Sequence, residues 1–334
     1  MPSPEIVFHA DVGREEGWGH LRECLSVAAV LQARGVSSGF IFPAENGRAR
    51  QQIMLEGHSV YPLPAVSQRT DSLLALTELL GRTAGRFLVA NLVTVSARYA
   101  KEVSRAVEGW ALITEHANQK LAPLNFDISQ HPEYMPLHAA YGGAHFPSIS
   151  VNIRELLICF GGTDPKNSCG LVLELLRQGF ERGELPRELR VIVVLGPLFE
   201  HGTVIRAMPA TYPVELTVTG PVTPEKLAGL AAQADLAITT GGGTMYEFCA
   251  LGLPSIVVPV LDKMAVNAKV LEEKGAVLRT ARADRLSAQE LIEACRRLLD
   301  GQARDTMAQA AQAAVDGQGA ERIAIRLTKE WRLV

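Results

Sequence analysis

Short apolar runs alternate with segments of helical period along most of this chain, and the alternation runs twice. Residues 4–11 (PEIVFHAD) read as a buried strand. Residues 20–34 (HLRECLSVAAVLQAR) carry apolar positions at helical spacing and stop at Gly35. Strands follow at 37–44, 86–93 and 111–116, and 51–63 reads as a helix with a short strand after it. Helices at 71–82 and 96–107 lie between them. Residues 117–150 hold no period and are rich in Pro, Asn, His, Tyr and Gly, so they read as loops and connection. The alternation then restarts. Strands are predicted at 155–162, 189–196, 214–220, 235–242 and 254–260, with helices at 168–180, 223–234, 244–252 and 262–275. Residues 286–330 read as helical throughout.

Strands of this kind, separated by helices, pair in parallel with helices covering both faces. The expectation is an α/β fold with two doubly wound parallel sheets joined near residue 150. The chain of 334 residues divides into 1–150, 151–310 and a terminal helical piece, 311–334. In open parallel sheets ligands bind outside the carboxyl ends of the strands. Two such sheets facing each other make a cleft, and the loops at those ends should carry the chemistry.

Composition excludes several classes. A net charge of −3 leaves no basic footprint for nucleic acid. No apolar run is long enough to span a bilayer, and the N-terminus enters a strand with no signal-peptide pattern. Five scattered cysteines, none in C-x-x-C spacing, suit buried reduced thiols in a cytoplasmic protein. The eight histidines lie far apart, so no metal cluster is expected.

Three loops stand out. In AITTGGGTMYEFCALGLPSIVVPV (237–260) a strand meets Gly241, Gly242 and Gly243, and Thr244 is placed to cap a helix. Glycines admit a ligand to the backbone, and the first N–H groups and the dipole of the helix favour an anion such as phosphate. Glu247 either closes a capping box with Thr244 or accepts hydrogen bonds from ribose hydroxyls. In CFGGTDPKN (159–167), Gly161, Gly162 and Thr163 can cradle an anion, although Asp164 can equally be an ordinary helix cap. In GREEGWGHLREC (13–24), Gly17 and Gly19 flank Trp18, and His20 enters the first turn of a helix. The dipole there disfavours the imidazolium, so the neutral ring can act as a base. Alternatively, His20 only bonds backbone. Asp11, at the tip of the first strand, can orient or charge-couple with the site, or simply form the turn.

Taken together, G-x-G-H at Gly17 to His20, ICFGGTDPKN (158–167) and TTGGGTMYEFCALGLP (239–254) resemble the UDP-sugar hydrolases of the pseudaminic-acid pathway. Those hydrolases (UDP-2,4-diacetamido-2,4,6-trideoxy-β-L-altropyranose hydrolases) are similar to MurG-type glycosyltransferases of GT-B fold. The resemblance implies two Rossmann-like domains facing a cleft, with the terminal helix crossing back to the first domain and Trp331 suited to docking there. It implies that His20 activates water at the anomeric carbon, that the glycine loops, Thr244 and Glu247 hold UDP, and that neither metal nor cofactor is needed.

Several positions depart from the family. Glu23 stands in an Arg slot. Asn91 ends a strand where a carboxylate is usual, and Thr114-Glu115-His116 replaces an acidic pair. These lie on the sugar side of the first domain, so the nucleotide is the firmer expectation. The leading expectation is a nucleotide-sugar hydrolase of nonulosonic-acid or surface-polysaccharide biosynthesis. The alternatives are a GT-B glycosyltransferase with a UDP-sugar donor, in which His20 activates an acceptor hydroxyl, and a non-catalytic nucleotide-sugar binding protein.

Overall fold

The computed structural model describes residues 4–12, 18–64, 69–83, 85–115, 121–143, 153–164 and 166–333. The chain divides into two compact units, residues 1–138 with 318–334, and residues 139–317. Each is described by itself.

In unit 1 the chain runs β1 (Ile6–Ala10), α1 (Gly19–Ala33), β2 (Ser38–Pro43), α2 (Gly47–Leu55), β3 (Ser59–Leu63) and α3 (Arg69–Thr83). It continues through β4 (Phe87–Asn91), α4 (Ala97–Ala106), β5 (Gly109–Thr114) and β6 (Leu124–Asp127). The six strands pair in parallel in the order β3-β2-β1-β4-β5-β6. β1 and β4 are buried along their whole length, as strands covered on both faces must be. Val7, Leu88, Leu112, Val103 and Trp110 belong to the core on one face of this sheet. Local chemistry sets the helix ends. Gly35 turns the chain out of α1 at φ +83°, and Asn46 and Ser96 cap α2 and α4 through their side chains.

Unit 2 runs β7 (Glu155–Cys159), α5 (Ser168–Glu181), β8 (Arg190–Val194), α6 (Gly202–Ala207), β9 (Leu216–Thr219), α7 (Pro224–Ala231) and β10 (Leu236–Thr239). Then come α8 (Gly243–Ala250), β11 (Ser255–Val257), α9 (Asp262–Glu273), β12 (Leu278–Arg279), α10 (Ala288–Arg297) and α11 (Gly301–Ala314). Its sheet is also parallel, in the order β12-β11-β10-β7-β8-β9. Read from its own first strand, this is the order found in unit 1. α12 (Gly319–Trp331) returns to unit 1, packs on α1 and stacks Trp331 on Phe87 with ring centroids 4.6 Å apart.

Three expectations change. Residues 124–127, read as connection, form β6 on the edge of the first sheet. Four residues with Asn and Asp among them are too few to show a period. The terminal stretch is not one helical run but three helices, broken at 298–300 and 315–318. Asp300 caps α11 through its side chain, which starts a new helix there. The helix expected from Thr244 begins one residue earlier, at Gly243.

Candidate functional site

In both sheets the strand order reverses beside the first strand. The switch point lies between β1 and β4 in unit 1 and between β7 and β10 in unit 2. At such a point the flanking loops diverge and leave a crevice at the carboxyl ends.

In unit 2, β7 and β10 run in register to their ends, Cys159 opposite Thr239. Thr239 Oγ1 donates to the Cys159 carbonyl at 2.7 Å and ties the strand ends together. The loop after β7 and the loop after β10 are therefore neighbours. Gly161 has φ +80°, and the place its missing Cβ would take is 3.9 Å from Thr244 Oγ1. Gly162 has open space around its own missing Cβ. Behind this loop Gly196 fits against the Gly161 and Gly162 carbonyls, and the Leu198 N–H donates to the Gly162 carbonyl at 3.0 Å. Gly161, Gly162 and Thr163 are thus held from one side and half-exposed on the other.

The two helices that open here differ at their N-termini. α5 is closed: Asp164, 4% exposed, accepts the N–H groups of Ser168 at 2.9 Å and Cys169 at 2.7 Å. Asp164 is a cap, the plain alternative for that residue. α8 starts differently. Gly242 is its N-cap and has no side chain of its own to bond there. Thr244 therefore does not cap the helix but sits in its first turn, which removes the capping box from the alternatives for Glu247. Gly241 does not make room for a ligand, because a Cβ there would collide with the Met264 carbonyl at the start of α9. Its absence of side chain serves packing.

In unit 1 the structure brings Asp11, Asn91 and His20 together at the β1–β4 switch point. The Asp11 N–H donates to the Asn91 carbonyl at 3.2 Å, and Asp11 Oδ2 accepts the Val93 N–H at 2.7 Å. Asn91, 3% exposed, donates through Nδ2 to Glu23 Oε2 at 2.7 Å and lies 3.5 Å from the His20 carbonyl. His20 is the second residue of α1 and is 8% exposed. Trp18 is the N-cap of α1 and is half-exposed, and Gly19 is exposed. Gly17 lies outside the described residues.

Sequence reading passed over three participants. Glu23 stands out only as a departure, although its spacing of three from His20 puts both on one helix face. His9 and Tyr99 lie nearby, His9 Nδ1 being 2.9 Å from the Tyr99 hydroxyl. Burial holds the His9 imidazole down at about 4. Burial first, and then the charge of Asp11, push the Tyr99 phenol up. The partnership across 90 residues has no local signal. Among the described residues no group of three or more His, Cys, Asp or Glu could hold a metal ion, and no helix is long and apolar enough to cross a membrane.

Residues 223–325 match the glycosyltransferase family 28 C-terminal domain. The chain is 26% identical over 205 residues to the spore coat polysaccharide biosynthesis protein SpsG of Bacillus subtilis, an alignment covering 60% of this chain and 57% of that protein. The chain thus spans less than two thirds of that relative's length. Among solved structures, MurG of Acinetobacter baumannii superposes with a TM-score of 0.67 at 18% identity, over 98% of this chain and 100% of that one. A co-structure of MnaA with UDP from S. aureus superposes with a TM-score of 0.64 at 11% identity, over 99% of this chain and 98% of that one. The fold is GT-B. The likenesses are to GT-B glycosyltransferase-like proteins, and none of the names above is that of a pseudaminic-acid pathway hydrolase.

Proposed function

We propose that this chain takes a glycosyl group from a UDP-sugar and transfers it to an acceptor hydroxyl, in the synthesis of a surface polysaccharide. The observation that carries this reading is the glycine N-cap of α8 at the β7–β10 switch point, beside a loop with Gly162 open, while the N-terminus of α5 is filled by Asp164. A helix N-terminus entered through glycine beside a glycine loop suits a diphosphate. The MnaA structure holding UDP, and the polysaccharide role in the name of SpsG, support the choice of donor and setting.

In this reading the first N–H groups of α8, the Thr244 hydroxyl and Gly161-Gly162-Thr163 take the diphosphate. Glu247 accepts the ribose hydroxyls. When the anomeric C–O bond breaks, its electron pair leaves with UDP, and the positive end of α8 takes up the developing charge. His20 removes the proton of the attacking O–H. Asp11 and Asn91 join the ends of β1 and β4 around it. Transfer is placed before hydrolysis because the matched family is one of glycosyltransferases. The finer reading, hydrolysis of the diacetamido sugar nucleotide of the pseudaminic-acid pathway, rests on the motif resemblance alone.

The test begins with thermal-shift titration by UDP, CDP, GDP and dTDP of wild type and Glu247→Ala. A ligand that binds only the folded state raises the melting temperature. The expected result is a selective UDP shift that Glu247→Ala removes. UDP release from UDP-GlcNAc and from the diacetamido sugar nucleotide is then measured with and without acceptor sugars. Release that needs an acceptor supports transfer. Release in water alone supports hydrolysis in its place. No shift with any nucleotide overturns the reading.

A further inference from the structure

We propose that Glu23 is the positioning residue of His20, holding with Asn91 the turn of α1 that carries it and stabilising the imidazolium formed when its ring takes a proton. The proposal rests on the reading of His20 as the base.

The argument starts from cost. A carboxylate taken out of water loses several kcal/mol of hydration unless the site gives something back. Glu23 is 5% exposed on α1, three residues after His20, so the two side chains leave the same face of the helix one turn apart. A single amide engages both residues: Asn91 Nδ2 donates to Glu23 Oε2 at 2.7 Å and lies 3.5 Å from the His20 carbonyl. The second oxygen, Oε1, is turned back toward the opening of the helix, 3.8 Å from where a Cβ on Gly19 would stand. The charge of Glu23 is felt locally, since together with burial it pushes the neighbouring Cys24 thiol up.

Asp11, the carboxylate expected to orient His20, also holds two strands together. Its Oδ2 accepts the Val93 N–H, which joins the ends of β1 and β4. The other described charged groups on elements packed against α1 are directed elsewhere. On β1, His9 is held neutral by burial against Tyr99. β2 and β4 carry no ionisable side chain. On α12, Glu321 pairs with Arg34, Arg322 donates to the Glu133 carbonyl, Arg326 pairs with Glu330, and Lys329 and Arg332 are exposed. Arg22 on α1 is exposed as well. An anion beside an imidazole favours its protonated form.

The test follows the ring of His20 by NMR through a pH titration, assigned by comparison with His20→Asn, in wild type, Glu23→Gln and Glu23→Asp. Glu23→Gln keeps an acceptor for Asn91 without the charge. Its His20 midpoint should fall by about one pH unit. Glu23→Asp, with the charge one methylene further back, should fall between the two. If the Gln variant does not melt cooperatively, the Asp variant decides. An unmoved midpoint in a folded variant overturns the proposal. UDP thermal shifts on the same proteins separate the two readings: neither variant should alter them. A wild type that ignores UDP would sink the proposed function, while the titration still decides for or against Glu23.

Discussion

Asp164 Oδ2 accepts the backbone N–H of Cys169 at 2.7 Å, and its other oxygen takes that of Ser168. One residue thus closes the N-terminus of α5 in the same crevice where α8 starts on Gly242, which has no side chain. In the proposed reading the difference separates a structural carboxylate from the diphosphate site. Asp164→Ala should lower stability by about 1–2 kcal/mol, the usual range for a lost cap. Its UDP thermal shift should match that of wild type. A variant of normal stability that had lost its UDP response would assign Asp164 to the ligand instead.

Gly162 and Gly241 form a second contrast. A Cβ at Gly162 meets nothing within 4 Å, whereas one at Gly241 collides with the Met264 carbonyl. Gly162→Ala should leave the urea midpoint nearly unchanged and weaken UDP binding, because in the proposed site the new methyl stands where the diphosphate approaches. Gly241→Ala should be destabilised by about 1–3 kcal/mol, the range for overpacking. Equal loss of stability in the two variants would remove the distinction.

These residues also show how far the sequence carries. β7 and β10 were legible because each is a continuous apolar run ending in glycine, and the crevice between them follows from their place in the sheet. The role of each glycine was not legible. Gly241 and Gly162 look alike in sequence, and only the neighbour brought by α9 tells them apart. Thr244 looked like a cap because Thr precedes helices, yet Gly243 had already entered one. Glu23 read as a lapse from a family pattern. Its partner, Asn91, comes from 68 residues away, and no local period encodes such a pairing.

Trp331 stacks on Phe87 with an interplanar angle of 7°, and its Nε1 lies 2.9 Å from where a Cβ on Gly109 would be. The last helix is thereby fixed to the starts of β4 and β5 in unit 1. Trp331→Ala should destabilise by about 3 kcal/mol, since a large aromatic contact is lost. Trp331→Phe should recover most of that, because the stack survives. Urea unfolding monitored by circular dichroism gives both values. A neutral Trp331→Ala would mean that α12 is held by its α1 face alone.

His9 gives the stability a pH dependence of known sign. Its ring is buried against Tyr99 and held at about 4, while in the unfolded chain it titrates near the ordinary 6.5. Between those values the unfolded chain binds a proton that the folded protein refuses. This contribution is therefore complete above about pH 6.5 and is lost as the pH falls toward 4, amounting to roughly 3 kcal/mol by linkage. His58 adds in the same direction, because burial lowers its ring as well. His9→Gln can still bond the Tyr99 hydroxyl but does not titrate. Urea unfolding at pH 7.5 and pH 5 should show wild type losing more stability on acidification than His9→Gln. Equal losses would place the charged form of His9 inside the folded protein without penalty, and the burial argument for its neutrality would fail.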